Sequence, residues 1–231
     1  MCADAQQARL AARAVLPWDQ PHPSRGPGLE TPAELVPSCG RCSFRRKKGA
    51  IIWAYTQPVP GRRVICLDEL GPVSAKTYPG EVWMGGPGRA TCTPDYGRRG
   101  TVWAFGAFEP ATGLATTLCS PRRDSASFIQ LLGVVLQTYP AQQWVLIADT
   151  LTTHVSRETQ AALLAWPEVQ LLVLPKDACW LNLIEPWWKQ LRSLALKGRR
   201  FARLDEVIEA IVQATLYWNA HRYPYAWKKA A

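Results

Sequence analysis

The sequence predicts an α/β domain built on a mixed five-stranded sheet flanked by helices, and three observations lead there. Two short, wholly apolar runs, Val64-Ile65-Cys66-Leu67 and Trp144-Val145-Leu146-Ile147-Ala148, each end in an aspartate, Asp68 and Asp149; runs this short and continuous suit strands buried on both faces. Helical periods separate the later strand candidates, which calls for parallel crossovers, whereas short turns join the earlier ones, which calls for antiparallel pairing. The 231 residues, about half of them apolar, suffice for one domain with a substantial core plus an appendage.

The elements follow in order. Residues 1–16 are alanine-rich and mildly basic, and 17–37 are rich in proline and glycine without a period, as a linker would be. Cys39 and Cys42 form a lone CxxC pair, short of the about four ligands that structural zinc needs. Arg41, Arg45, Arg46, Lys47 and Lys48 make a basic patch that suits phosphate contact and a solvated charge run equally. Residues 1–60 are therefore expected to be an irregular, proline-rich and basic segment, truncated or degenerate, and residues 61–231 the folded domain.

Within that domain the first strand is expected over 64–67, ending at Asp68-Glu69 and stopped by Gly71-Pro72. Strands over 101–108 and 114–118 flank the turn Glu109-Pro110-Ala111-Thr112-Gly113. Phe128, Leu131, Leu132, Val135 and Leu136 recur at helical spacing until Tyr139-Pro140. The fourth strand covers 144–148. A helix begins at Ser156, with Thr159, Ala162, Leu163 and Trp166 inward, and Pro167 closes it. The last strand covers 169–174 before Pro175. Helices over 182–196 and 204–219 complete the chain, the second with Leu204, Val207, Ile208, Ile211, Val212, Thr215 and Leu216 on one stripe.

Charge narrows the function class. There are 27 Lys and Arg against 18 Asp and Glu, a net +9, which favours a polyanionic partner. Seven scattered cysteines and the lack of a secretory signal argue for a reduced, cytoplasmic protein. No run approaches the roughly 20 apolar residues that cross a bilayer, so no membrane partner is expected.

Asp68 and Asp149 both follow apolar strands, and open α/β sheets collect ligands outside such strand ends. On neighbouring strands about 4.8 Å apart their carboxylates would repel unless a cation lay between them. All-oxygen ligation suits magnesium or manganese better than zinc. Glu69 competes with Asp68, but adjacent strand residues face opposite ways, so only one of them can serve. Glu185 is a third candidate, at the edge of the stripe Leu181, Ile184, Trp188, Leu191 and Ala195. It can equally close a capping box with Asn182.

Four blocks carry a resemblance: Val64-Ile65-Cys66-Leu67-Asp68-Glu69, Tyr96-Gly97-Arg98-Arg99-Gly100-Thr101, Ile147-Ala148-Asp149-Thr150-Leu151-Thr152-Thr153-His154, and the tract from Leu174 through Trp180-Leu181-Asn182-Leu183-Ile184-Glu185-Pro186-Trp187-Trp188. Together they resemble the IS630/Tc1/mariner transposases, in their DDE catalytic domain of ribonuclease-H-like fold. The 35 residues between Asp149 and Glu185 match the separation that group keeps between its last two acids. The resemblance implies sheet order 3-2-1-4-5 and assigns Asp68, Asp149 and Glu185 as catalytic acids holding two Mg²⁺ or Mn²⁺ ions, Asp68 bridging both. It further implies cleavage of double-stranded DNA at transposon ends by water and joining of the freed 3′-hydroxyl to a TA-containing target.

The same resemblance places His154 near this site, beside the metal ligands or against DNA; Asn182, in the turn before Glu185, and the basic Lys189 and Arg192 after it are candidates for the same contacts. Thr150 departs from it, standing where the group often has Asn. It is compatible with a homodimer and with a bacterial cytoplasmic protein that joins the nucleoid when bound to DNA. Relatives carry helix-turn-helix units in front of this domain, for which residues 1–60 leave little room. A catalytically incomplete remnant that binds DNA or a partner copy is the alternative expectation.

Overall fold

The computed structural model describes residues 40–80, 95, 97 and 99–225. The alanine-rich start, the proline-rich stretch and the side chains of Cys39 and Cys42 lie outside these residues. Helix α1 (Gly40–Thr56) leads into strand β1 (Arg62–Ser74), then β2 (Thr101–Glu109), β3 (Leu114–Ser120), α2 (Ser125–Thr138), β4 (Gln143–Ala148), α3 (Arg157–Leu164), β5 (Val169–Val173), α4 (Glu185–Ala195) and α5 (Leu204–His221).

The strands form one sheet in the order β3-β2-β1-β4-β5. β1 and β2 pair antiparallel, as do β2 and β3, while β1, β4 and β5 run parallel. This is the mixed sheet expected from the turns and the helical crossovers. Strand alternation divides the core between two faces. Ile65, Leu67, Phe105 and Leu146 pack against Phe128, Leu131 and Leu132 of α2 on one face. On the other, Cys66, Leu70 and Phe108 meet Trp187, Trp188 and Leu191 of α4 and Val207 and Ile211 of α5. Val145 and Ile147 share that second face, where Ile51 and Ala54 of α1 cover them.

Three expectations are corrected. The basic segment after residue 40 is helical, because Ile51 and Ala54 give it an apolar side that the sheet buries. Gly71-Pro72 does not stop β1; the pairing with β2 continues to Ser74 across a register shift between Leu70 and Val73. On α5, Leu216 is exposed while Ala210, Ala214 and Trp218 are buried, so the inward stripe is rotated toward smaller residues and one tryptophan.

An ion pair whose carboxylate is buried and whose guanidinium is half-buried ties the start of β1 to the end of β2. Arg63 donates from one guanidinium nitrogen to both oxygens of Glu109 at 2.9 and 2.8 Å and from Nε to the Pro140 carbonyl at 2.9 Å. The Glu109 side chain is only 4% exposed. Removing Arg63 would leave a buried carboxylate without its cation, which is costlier than losing the pair as a whole. Arg63→Ala is therefore expected to lower unfolding stability by about 3 kcal/mol, measured by urea denaturation.

Candidate active site

Parallel pairing of β1 and β4 brings the two aspartates together. The register sets Ile65 opposite Leu146 and Cys66 opposite Ile147; carried two residues further, it sets Asp68 beside Asp149. Both follow the alternation of Cys66 and Ile147, which places them on the face covered by α1, α4 and α5. Asp68 is thus inside β1, paired with Gly106 of β2, yet it lies beyond the last β1–β4 pair. The expected strand-end position holds for the parallel part of the sheet and not for the strand as a whole.

Trp188 of α4 donates its indole N–H to Asp68 Oδ2 at 2.8 Å. Burial nevertheless pushes the Asp68 carboxyl up to about 6; the negative charges of Glu69 and Glu185 add to the rise, and the Trp188 bond opposes it. Glu185 is therefore electrostatically within reach of Asp68. It opens α4, with an exposed side chain, and Pro186 follows it in the first turn, where a missing N–H costs nothing. Pro186 and the preceding 3₁₀ turn Cys179–Leu181 mark this helix start.

Asn182 fixes where that helix starts, but not by capping it. Ile184 is the cap residue and no side chain caps the end. Asn182 instead donates from Nδ2 to the carbonyl of Leu67 at 2.9 Å, one residue before Asp68, and its Oδ1 is buried without a hydrogen-bond partner. The alternative reading of Glu185 as the closing residue of a capping box does not hold, because the bond to Leu67 aims the Asn182 amide at β1 and leaves its Oδ1 off the helix end. Tyr55 of α1 adds a second tie, donating to the Leu181 carbonyl at 2.9 Å and contacting Cys66 Sγ at 3.1 Å. Burial pushes the Cys66 thiol up to about 12, so it supplies no thiolate next to Asp68.

On the opposite face Glu69 does not compete with Asp68. Its side chain is 4% exposed, and Oε1 meets His154 Nε2 at 2.7 Å. His154 is fully buried, its ring 4.2 Å from that of Phe128. Its Nδ1 lies 2.9 Å from Asp149 Oδ1 and 3.2 Å from the Asp149 carbonyl. Burial would depress the imidazole, but the bonds to Asp149 and Glu69 outweigh it and hold His154 up to about 9. The same bond to His154 holds the Asp149 carboxyl below its usual range.

Lys189 and Arg192 lie on the exposed side of α4, one and two turns past Glu185. They line an open groove of about 540 Å³ that also takes in Leu70, Val73, Lys76 and Lys197. Among the described residues its lining contains four cations, Lys76, Lys189, Arg192 and Lys197, and no carboxylate.

Two contacts escaped the sequence. Trp188 counted as packing because an apolar stripe carries no sign of its N–H. Gly106 carried a usable signal, since a glycine inside a strand marks close approach by another group. A Cβ at Gly106 would lie 2.2 Å from Trp188 Cη2. Among the described residues no group of three or more His, Cys, Asp or Glu side chains is already gathered tightly enough to hold a metal ion. The donor set does fit one: carboxylates only, with Asp68 buried and raised further by the charges of Glu69 and Glu185, a condition that a divalent cation would relieve.

Comparison with known proteins places these features in context. A family model described as DDE superfamily endonuclease matches residues 63–208. The chain is 27% identical over 116 residues to the insertion element IS630 uncharacterized 39 kDa protein of Shigella sonnei, which covers 50% of this chain and 34% of that protein. Two solved structures are similar in fold, the Mos1 transposase paired-end complex with left transposon end and the Mos1 mariner paired-end complex with Mn. Each has a TM-score of 0.54 at 18% identity, covering 96% of this chain and 64% of the other. The chain thus spans about a third of the curated relative's length and under two thirds of the Mos1 chain.

Proposed function

The chain belongs to the DDE superfamily endonucleases, and from that premise we propose that it is a domain of the IS630/Tc1/mariner type that cleaves DNA strands and joins the freed ends during transposition. The observation that carries the reading is the β1–β4 register that sets Asp68 beside Asp149 on the face where α4 begins with Glu185. Asp68, Asp149 and Glu185 would be the ligands of Mg²⁺ or Mn²⁺, and the bound ions would neutralise the scissile phosphate and lower the pKa of the attacking group.

The protein's own residues prepare that chemistry. Trp188 restrains the Asp68 carboxylate by one oxygen, and His154 restrains that of Asp149 by one oxygen. Asn182 ties the start of α4, and with it Glu185, to the strand that carries Asp68. Lys189, Arg192 and Lys76 would hold DNA phosphates along the groove that follows α4, orienting the strand without reading its sequence. Water then attacks phosphorus and the 3′-oxygen leaves; the 3′-hydroxyl so formed attacks a phosphodiester of target DNA, whose own 3′-oxygen leaves in turn. The substrate is double-stranded DNA bearing the element's ends, with a TA-containing target, and a second copy of the chain would hold the paired end. The setting is the bacterial cytoplasm.

The test is incubation of the full chain with labelled duplexes carrying the element's terminal repeats, in Mn²⁺, Mg²⁺ or EDTA. Nicking and joining are expected only with metal, and Asp149→Asn should lower the rate by about 10³-fold, as loss of a metal ligand worth about 4 kcal/mol in the transition state requires. Metal-independent cutting, or cutting unaffected by that substitution, would overturn the assignment.

A further inference from the structure

Asp149 differs from Asp68 in where it sits. It lies in the loop just past β4, with an acid side chain 44% exposed, and a carboxylate there would sample many orientations unless something held it. The loop provides its own restraints. Asp149 Oδ1 accepts from the Leu151 N–H at 3.1 Å, and His154 N–H closes a turn onto the Leu151 carbonyl at 3.0 Å. The far end is anchored by α3: Ser156 caps it, and buried Thr159 donates to the Thr153 carbonyl at 2.6 Å.

His154 is the centre of this arrangement. It is fully buried between two carboxylates, and both of its ring nitrogens are within hydrogen-bond distance of carboxylate oxygens. A carboxylate only accepts, so both nitrogens donate. Glu69 supplies one of those acceptors from the opposite face of the sheet, because it is the strand neighbour of Asp68 and points the other way. One dipeptide of β1 therefore serves the site twice, Asp68 directly and Glu69 through an imidazole.

We infer that Glu69 and His154 are positioning residues for Asp149: Glu69 sets the orientation of the imidazole, and the imidazole holds one oxygen of Asp149 so that the carboxylate meets the metal in a fixed orientation. The inference rests on the proposed metal site. Partners that orient a metal ligand commonly change metal affinity or activity by about 10- to 100-fold when removed, although they never touch the ion.

The test is Mn²⁺ binding to the full chain without DNA, followed by electron paramagnetic resonance, for wild type, Glu69→Gln, His154→Ala, the double variant, Asp149→Asn and Arg63→Ala. Glu69→Gln keeps the size of the side chain and carries the test if His154→Ala does not fold. Glu69→Gln and His154→Ala are each expected to weaken Mn²⁺ binding by about tenfold or more, and the double variant no more than His154→Ala alone, since Glu69 acts only through the ring. Arg63→Ala, destabilised elsewhere, should bind as wild type does.

Several outcomes separate the readings. Wild-type affinity in both single variants, with binding lost in Asp149→Asn, would overturn the positioning role while leaving the metal site standing. A further loss from Glu69→Gln in the His154→Ala background would overturn it in favour of Glu69 as a direct ligand. A loss in Arg63→Ala equal to that in Glu69→Gln would reduce the effect to general destabilisation. No binding by wild type would remove the metal site and this inference with it.

Discussion

Asp68→Asn is expected to abolish the proposed DNA cleavage, by about 10³-fold or more, and at the same time to make the metal-free protein more stable. Both follow from one position. Asp68 is held between β2 and α4, where burial and the charges of Glu69 and Glu185 raise its carboxyl to about 6. A carboxyl whose pKa is higher in the folded than in the unfolded protein contributes stability only while protonated. That contribution is complete below the unfolded value near 4 and is lost as pH rises through about 6.

Near pH 7.5 the wild-type protein carries the whole penalty. Asparagine removes it and can still accept the Trp188 indole N–H. A rise in melting temperature of about 2–4 °C corresponds to about 1 kcal/mol in a chain of this size. At pH 4 the advantage of Asn should shrink. Mn²⁺ should stabilise wild type and leave Asp68→Asn unmoved, because a ligand that binds the native state raises its stability only where the site exists. Thermal scans at the two pH values, with and without Mn²⁺, check all of this; an Asp68→Asn protein less stable than wild type in EDTA at pH 7.5 would contradict the account.

The second large effect is expected from the smallest change, Gly106→Ala. The added methyl would lie 2.2 Å from Trp188 Cη2, 2.6 Å from Cζ2 and 3.1 Å from Ile184 Cδ1. Trp188 cannot give way cheaply: it is 2% exposed, within the core formed with Trp187, Leu191 and Phe201, and its N–H is committed to Asp68. Overpacking of a filled core costs about 1–3 kcal/mol, and the rigid double ring puts this site at the upper end, about 3 kcal/mol.

Activity should fall further than stability alone explains, because moving Trp188 shifts α4, and with it Glu185, relative to Asp68. Shortening the partner separates the two effects. Gly106→Ala combined with Trp188→Leu should regain part of the stability, by making room, and none of the activity, since leucine offers Asp68 no donor. Urea denaturation and cleavage assays decide it; a Gly106→Ala protein within about 0.5 kcal/mol of wild type would show that the ring moves freely.

The candidate site was legible in unequal measure. Asp68 and Asp149 could be read from two apolar runs that end in an acid, since a strand buried on both faces leaves a plain signal and its end is where polar groups return. Glu185 rested on the resemblance, because a helix's first-turn acid is ambiguous between capping and ligation until a neighbour is known. Asn182 shows how that ambiguity resolves: its amide goes to Leu67, 115 positions away in sequence, and no local pattern encodes such a partner. The length of β1 was misjudged for a related reason. Gly71-Pro72 reads as a stop in isolation, yet pairing with β2 carries the strand across a register shift.

By itself the sequence determined the class of fold and the directions of the strands, through periodicity and turn residues, while short motifs carried the resemblance that implied the sheet order and the three acids on which a metal site would rest. All of these signals are local. Only the tertiary structure decided which groups surround those acids: Trp188 above Asp68, the glycine that makes room for it, and the buried line from Glu69 through His154 to Asp149. Each of these joins residues from different elements across one sheet, and alternation tells which face a residue takes but not what meets it there.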